Sequence, residues 1–341
     1  MGIVEQLTTA LRETLPPGDL SLWFGIVSAI AGIAAFEFYK RYFGGDAEGA
    51  EISRGLLREQ ALSSKLNGAG AASDNRVLNP IHFKPFTVVS TNRVSHNTAL
   101  VRFEIPSGRD LGLSVGRHVS VMAHINGQKV IRPYTPTSSP DTKGYFELMV
   151  KKYHDGKMSS HVWDLTEGDS LDFRGPVGRF KYEKNQYPKI GLIAGGTGLT
   201  PCLQVIRCIL EGPEGEGDNA QFVLFFQNRT EADILLKEEL CALADIYPDR
   251  LRVLFFLSNP QSSSWGKNYS TDRALNSFFA KPSKGTTPEV KGYISKDAVK
   301  IAMGPRECPL VGICGPSGFN DSMKRLLLDE GHDAESSIYI W

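Results

Sequence analysis

The pattern of apolar and polar positions divides the chain into stretches of different character. Leu20–Phe36 is apolar apart from Ser21 and Ser28. Residues 44–76 have no sustained periodicity and are rich in Gly, Ala, Ser and charge, with a short helix predicted over Glu51–Leu66. From residue 77 to 185 the pattern is that of strands and turns. Val101–Ile105 and Leu171–Arg174 alternate apolar and polar residues, as half-buried strands do. Asn126-Gly127 and Glu167-Gly168-Asp169 read as hairpin turns. No long amphipathic helix interrupts this region, so an antiparallel barrel fits best.

From residue 186 to 341 the pattern changes to strand then helix. Ile190–Ala194, Phe222–Gln227, Leu251–Leu257 and Leu310–Cys314 are short buried-type strands. Leu203, Ile206, Ile209 and Leu210 mark one helical face, with Thr200 placed to cap that helix and Pro201 to begin it. Further helices are predicted near Leu235–Ala244 and Gly318–Asp329. Strands separated by helices imply a parallel, doubly wound sheet. The chain is therefore read as an α+β protein of two folded domains, an antiparallel β-barrel at 77–185 and a doubly wound α/β domain at 186–341. A membrane anchor over 1–43 and a flexible tether over 44–76 precede them.

The anchor rests on the first apolar run. At 1.5 Å per residue Leu20–Phe36 spans about 25 Å, enough for a bilayer core. Trp23 stands near one end, and Phe36, Phe38, Tyr39, Tyr42 and Phe43 crowd the other as an interfacial belt. Lys40 and Arg41 follow at once, with Arg54 and Arg58 beyond, whereas Arg12 upstream stands among Glu5, Glu13 and Asp19. The positive-inside rule then orients a single-pass transmembrane helix with its catalytic head in the cytosol. Such an anchor suits the endoplasmic reticulum or the mitochondrial outer membrane. Two other readings compete: a cleaved signal peptide, which would need a basic n-region that is missing, and a buried helix of a soluble fold.

Composition adds exclusions. Lys and Arg total 38 and Asp and Glu total 38, so bulk charge gives no reason to expect nucleic-acid binding. The five cysteines are odd in number and irregularly spaced. They fit neither a disulfide framework nor a metal-ligand array, and the seven histidines show no metal-ligand spacing. No metal site is expected.

The chemistry sits in motifs. Arg132-Pro133-Tyr134-Thr135-Pro136-Thr137-Ser138 places a guanidinium, an aromatic ring and hydroxyls on one proline-stiffened extended run. Arg132 can bind a pyrophosphate through paired, charge-assisted bonds. Tyr134 can lie against a flavin ring, and the Thr135 hydroxyl can bond the ring nitrogen that receives hydride. Gly156-Lys157-Met158-Ser159 offers close backbone approach and amide donors to the same phosphates. Gly175-Pro176-Val177-Gly178 reads as a turn walling off that cofactor. His118 reads as a packed barrel residue.

In the second domain Gly195-Gly196-Thr197-Gly198-Leu199-Thr200-Pro201 joins a strand to a helix, so its amides face an incoming dinucleotide phosphate. Asp233 follows the second strand, where a carboxylate on a ribose 2′-hydroxyl favours NADH over NADPH. It equally reads as a carboxylate beginning the next helix. Cys314-Gly315-Pro316 ends a later strand beside the ligand crevice, where the thiol can shape a nicotinamide pocket or serve as an inert packed cysteine.

These motifs, in this order, resemble the NADH–cytochrome b5 reductase family of ferredoxin–NADP reductase-like flavoproteins over about residues 77–341. The resemblance implies a six-stranded FAD barrel followed by an NADH domain. It implies FAD contacts from Arg132, Tyr134, Thr135, Ser138, Val150, Lys151, Tyr153, Gly156, Lys157, Met158, Ser159 and Thr200. It implies NADH contacts from Gly195, Gly196, Thr197, Gly198, Asp233, Cys314, Gly315 and Pro316, with Thr135 and Cys314 nearest the chemistry. Cytochrome b5 is the implied acceptor, met by a basic rim that includes Lys143. Another haem protein or a quinone would keep the same reaction, and a non-enzymatic membrane adaptor would leave the motifs unused. The chain departs from the pattern in a Ser-, Lys- and Pro-rich insert between Trp265 and Gly292, read as a surface loop, and in ending on Trp341 where members usually end on Phe.

Overall fold

The structure is a computed structural model that describes residues 77–341 other than 140, 213–214, 267–274, 277 and 280–286. The expected anchor over Leu20–Phe36 and the tether over 44–76 lie outside the described residues. Among the described residues no helix is long and apolar enough to cross a membrane.

The first domain is built on β1 (Lys84–Ser95), β2 (Thr98–Glu104), β3 (His118–Ile125), β4 (Gln128–Tyr134), β5 (Tyr145–Lys151) and β6 (Ser170–Val177), with one short helix, α1 (Lys157–Trp163). The strands are antiparallel in the order β4-β3-β6-β1-β2-β5. β1 turns the corner. Its first residues pair with β6, and its pairing with β2, which begins at Val88, is offset by a register shift between Val88 and Ser90. Alternation places Phe86, Phe103, Phe146 and Phe173 on the inner face, where their ring centroids lie 4.8–5.4 Å apart. The β3–β4 hairpin turns on Asn126 (φ 50°) and Gly127 (φ 72°), as its sequence predicts.

Two expectations need correction here. The barrel is open: no ladder joins β4 to β5 among the described residues, and the end of that seam is stitched at Glu147, whose carbonyl accepts the Thr137 amide at 2.9 Å and whose own amide donates to the Ser138 hydroxyl at 3.2 Å. Gly175–Val177 is not a turn but the end of β6, because Val177 stays in register with His118 of β3. Gly178 (φ 116°) begins the exit.

The second domain holds β7 (Lys189–Gly195), α2 (Leu199–Leu210), β8 (Gln221–Asn228), α3 (Lys237–Ile246), β9 (Leu251–Leu257), β10 (Glu289–Lys291), α4 (Lys296–Met303), β11 (Leu310–Cys314), α5 (Ser317–Asp329) and β12 (Ile338–Ile340). The sheet is parallel throughout, in the order β10-β9-β8-β7-β11-β12. Residues of α2 and α3 pack on one face and residues of α4 and α5 on the other, so the sheet is doubly wound. The chain leaves β7 toward β8 and returns on its other side as β11, which makes the β7/β11 boundary the topological switch point.

Local chemistry moves several predicted boundaries. Thr200 is not the N-cap of α2. The glycine loop already winds as a 3-10 turn over Gly196–Gly198, which runs into the helix at Leu199, and the Thr200 hydroxyl donates instead to the Thr197 carbonyl at 3.3 Å. Left-handed Leu236 (φ 54°) delays α3 to Lys237. The insert after Trp265 is not wholly a surface loop: Leu275 and Phe278 are buried in the core under α4 and α5, and Trp265 is buried with its indole N–H donating to the Val290 carbonyl at 3.2 Å.

Candidate functional site

The two domains meet along the crevice that opens at the switch point. On the barrel side, β4 carries the Arg132–Tyr134 segment to the open seam. Arg132 is exposed, and its guanidinium donates to the Ile131 carbonyl at 2.8 Å. Tyr134 is half-buried against the barrel core, and burial pushes its hydroxyl up to about 12, so the ring stays a neutral, mostly apolar face. Thr135 is buried at the strand exit. The Ser138 hydroxyl accepts the Glu147 N–H at 3.2 Å and fixes the segment's end to β5.

β5 delivers Val150, buried in the barrel core, and then Lys151 and Tyr153. A glycine then permits a tight return. A Cβ on Gly156 would lie 2.2 Å from the Ser159 hydroxyl, which accepts the Tyr153 amide at 3.2 Å and donates to the Gly156 carbonyl at 3.1 Å. Met158 and Ser159 are buried, while Lys157 is exposed and donates to Gln128 at 2.8 Å. This knot sets the start of α1 beside Tyr153. Its cradle is one that a Cβ would fill, and it lies near an exposed guanidinium and a half-buried aromatic face. These features fit a flavin dinucleotide, with Arg132 and the first amides of α1 toward the pyrophosphate and Tyr134 and Thr135 toward the ring.

On the other side, Gly195 and Cys314 end the adjacent strands β7 and β11. A Cβ on Gly198 would lie 2.0 Å from the Cys314 carbonyl oxygen, so the loop packs directly on the end of β11 only because this residue is glycine. Gly196 takes φ +55° with open space where a Cβ would project. Gly315 is confined in turn by Phe319, whose ring would meet a Cβ at 2.5 Å. Pro316 sets the chain into α5. Burial pushes the Cys314 thiol up to about 12. It is therefore a neutral wall group rather than a nucleophile.

Polar contacts close the crevice from both sides. The Tyr153 hydroxyl lies 3.2 Å from the Thr197 hydroxyl. The Lys151 ammonium donates to Asp233 Oδ1 at 3.0 Å. Asp233 Oδ2 accepts both the amide (3.2 Å) and the hydroxyl (2.8 Å) of Thr230, forming a capping box on the 3-10 turn Glu231–Asp233. Burial opposes ionisation of Asp233, but the Thr230 bonds and the Lys151 charge outweigh it and hold the carboxyl below its usual range. Asp233 thus does not begin α3, and its capping role coexists with a cation partner from the other domain.

A cleft of about 600 Å³ lies over this arrangement, lined by Lys151, Gly195, Gly196, Asp233 and Pro316 together with His96, Asn97, Asn228, Ser258 and Asn259. Its size and polar lining suit a nicotinamide dinucleotide. His96, Asn97, Ser258 and Asn259 escaped sequence reasoning because isolated polar residues in the turns after strands carry no periodic signal, whereas Asn228 begins the segment read as leading to the ribose. Buried Asn228, at the end of β8, keeps both side-chain polar atoms without a partner among the described residues.

Other contacts that sequence reasoning missed join the domains. Gln204 of α2 accepts the Gly116 amide at 2.7 Å and donates to the Ser114 carbonyl at 3.0 Å. Trp341 stacks on Phe180 with centroids 5.4 Å apart and donates to the Gly116 carbonyl at 3.1 Å. His118 is half-buried at the start of β3, and burial lowers its pKa, as befits a packed residue. Among the described residues no cluster of His, Cys, Asp and Glu is placed to hold a metal.

Comparison with known proteins agrees with this geometry. Residues 85–182 match the oxidoreductase FAD-binding domain family, and residues 192–325 match the oxidoreductase NAD-binding domain family. The chain is 38% identical over 296 residues to NADH-cytochrome b5 reductase 1 of Dictyostelium discoideum, covering 86% of this chain and 88% of the relative. It is 40% identical over 264 residues to the protein of the same name from Laccaria bicolor, covering 76% and 77% of the two chains. Among solved structures, the cytochrome b5 reductase domain of Ulva prolifera nitrate reductase superposes with a TM-score of 0.66 at 30% identity, covering 78% of this chain and 100% of that one.

Proposed function

The chain belongs to the NADH–cytochrome b5 reductase family, and we propose that it carries electrons from NADH through FAD to cytochrome b5 at a membrane surface. As an NADH-dependent FAD oxidoreductase, it needs its residues to bind, orient and shield two cofactors rather than to perform acid–base chemistry. Bound FAD supplies the conversion between a two-electron donor and a one-electron acceptor.

One observation carries the reading most strongly. Tyr153, bonded to the Gly156–Ser159 knot, meets Thr197 of the glycine loop, and Lys151 at the end of β5 meets Asp233, so the barrel and the nucleotide domain join at one crevice. In this reading Arg132 and the amides of Gly156–Ser159 hold the pyrophosphate, and Tyr134 flanks the flavin. The Thr135 hydroxyl, buried at the strand exit, would donate or accept toward the ring's hydride-accepting side when FAD is bound. Gly195–Gly198 cradle the NADH phosphates, and Cys314-Gly315-Pro316 walls the nicotinamide. Asp233 accepts a ribose hydroxyl and disfavours a 2′-phosphate.

Cytochrome b5 as acceptor is supported by the names of the relatives and by exposed Lys143 near the flavin segment. The membrane location is supported by the Leu20–Phe36 run and the basic residues that follow it. Purified protein should carry a flavin absorbance band that NADH bleaches, and full-length chain should sediment with vesicles that chain lacking residues 1–43 leaves behind. A colourless, NADH-silent protein would overturn the electron-transfer reading. Equal sedimentation of both forms would overturn the anchor.

A further inference from the structure

Helix α2 presents its apolar residues to the sheet, as periodicity predicts. A second stripe at Thr200, Gln204, Arg207 and, just past the helix, Glu211 has helical spacing and is polar, yet it too is largely removed from solvent. Solvation therefore does not account for it. Each of its last three members makes a specific interaction. Gln204 holds the Ser114–Gly116 turn of the barrel through two hydrogen bonds. The Arg207 guanidinium donates to the Thr137 carbonyl of the flavin segment and to the Glu239 carboxylate of α3. The Glu211 carboxylate lies 3.7 Å from Arg207.

Thr137 is consequently held from two sides. Its amide donates to Glu147 of β5 at 2.9 Å, and its carbonyl receives Arg207 from the other domain. Thr135 lies two residues upstream across Pro136, which leaves the intervening backbone little freedom. The helix that carries the nucleotide loop at its start thus grips the flavin segment two turns later. Lysine could not reproduce this grip, because a planar fork serves the carbonyl and the carboxylate at once and an ammonium on a flexible stem does not.

We propose that Arg207 is a positioning residue for electron transfer from NADH: it fixes Thr135, through Thr137, in register with the nucleotide loop at the head of its own helix. The inference rests on the functional reading above. Its charge environment gives it a pH signature. Arg207 is faced by Glu211 just past its own helix, by Glu239 on α3 and by Tyr145 and Glu147 of β5, while Glu211 also feels Asp141 on the loop after β4 and in turn acts on the Tyr247 hydroxyl after α3. Burial pushes Glu211 up to about 7 against the pull of Arg207, with Glu239 and Asp141 adding to the rise. Ionisation of Glu211 near neutrality therefore changes how Arg207 is shared among its partners.

The test uses FAD-loaded Arg207→Lys and Glu211→Gln proteins. Stopped-flow measures flavin bleaching at saturating NADH, equilibrium titration measures NAD⁺ affinity, and both are followed from pH 6 to 8. R207K should slow bleaching about tenfold, equivalent to a displacement costing about 1.4 kcal/mol, with NAD⁺ affinity and FAD content within about twofold of wild type. E211Q should remove a step near pH 7 from the bleaching rate. A purely structural Arg207 would lower FAD content or melting temperature while the loaded fraction bleached at the normal rate, and that result would overturn the proposal. If R207K fails to hold FAD, Glu239→Gln takes its place with an expected slowing of about threefold, and an unchanged rate would be equally decisive. Wild-type protein that NADH does not bleach would instead sink the functional reading itself.

Discussion

The Lys151 ammonium of the barrel donates to the Asp233 carboxylate of the nucleotide domain at 3.0 Å, across the mouth of the crevice. Both side chains are largely buried, so the pair is neither screened nor disposable in the way a surface ion pair is. It ties the carboxylate of the Glu231–Asp233 turn to the strand that leads from the barrel core to Tyr153.

Replacing Asp233 with Thr should raise NADPH use relative to NADH, because it removes a charge that repels a 2′-phosphate and frees Lys151 to meet one. The same change removes half of the Thr230 capping box and should cost about 1 kcal/mol of stability. Steady-state kcat/KM for the two nucleotides, with a thermal melt alongside, checks both. An unchanged nucleotide preference would remove the carboxylate from specificity.

Thr135→Val keeps shape and removes the hydroxyl from a buried strand exit. Flavin reduction should slow by about tenfold, the kinetic equivalent of one hydrogen bond, while FAD content stays near wild type. Rapid-mixing kinetics at saturating NADH make the measurement, and a normal rate would exclude the hydroxyl from the reaction.

Gly198→Ala should destabilise the nucleotide domain by about 1–3 kcal/mol, because a methyl group cannot occupy a position 2.0 Å from the Cys314 carbonyl without parting the loop from β11. Nucleotide affinity should fall with it. A variant that melts and binds NAD⁺ like wild type would show that the loop does not depend on that close approach.

The stability of the protein should carry a pH signature from Glu211. Its folded pKa is raised to about 7 by burial, above the ordinary value of a glutamate in an unfolded chain. The folded state therefore holds a proton that the unfolded state has already lost. The associated stability is fully present below the unfolded value and is lost as pH rises through about 7. Glu211→Gln should consequently gain melting temperature relative to wild type at pH 8 and little at pH 5. The opposite order would mean that Arg207 holds the carboxylate ionised throughout.

How far the fold could be read from the chain depended on whether a residue's role is local. Strand alternation in Val101–Ile105 and the buried runs of β8, β9 and β11 announce themselves, because one residue type in one pattern suffices. The glycine loop and the Arg132–Ser138 segment are legible for the same reason. Glycine cannot be replaced where a Cβ would strike backbone, and proline stiffness is intrinsic. Short β12 and α4 gave too little pattern to register, and the start of α3 moved because a leucine, not a glycine, took the left-handed position. The domain interface was illegible. Gln204 and Arg207 look like the solvated side of an amphipathic helix until the barrel is set against them, and although Trp341 could be read as a packing aromatic, its partners Phe180 and Gly116, far away in sequence, could not. Leu275 and Phe278 sit in a polar insert whose composition hid their burial.

The reading proposed for this crevice is the passage of electrons from NADH through a flavin to cytochrome b5. Its most direct test is anaerobic mixing of the purified, FAD-loaded protein with NADH and oxidised cytochrome b5, following the flavin and haem bands together. The expected result is rapid bleaching of the flavin by NADH, followed by catalytic reduction of haem that ceases when the protein is omitted. Bleaching without haem reduction would contradict the acceptor, and no bleaching at all would contradict the assignment of the crevice itself.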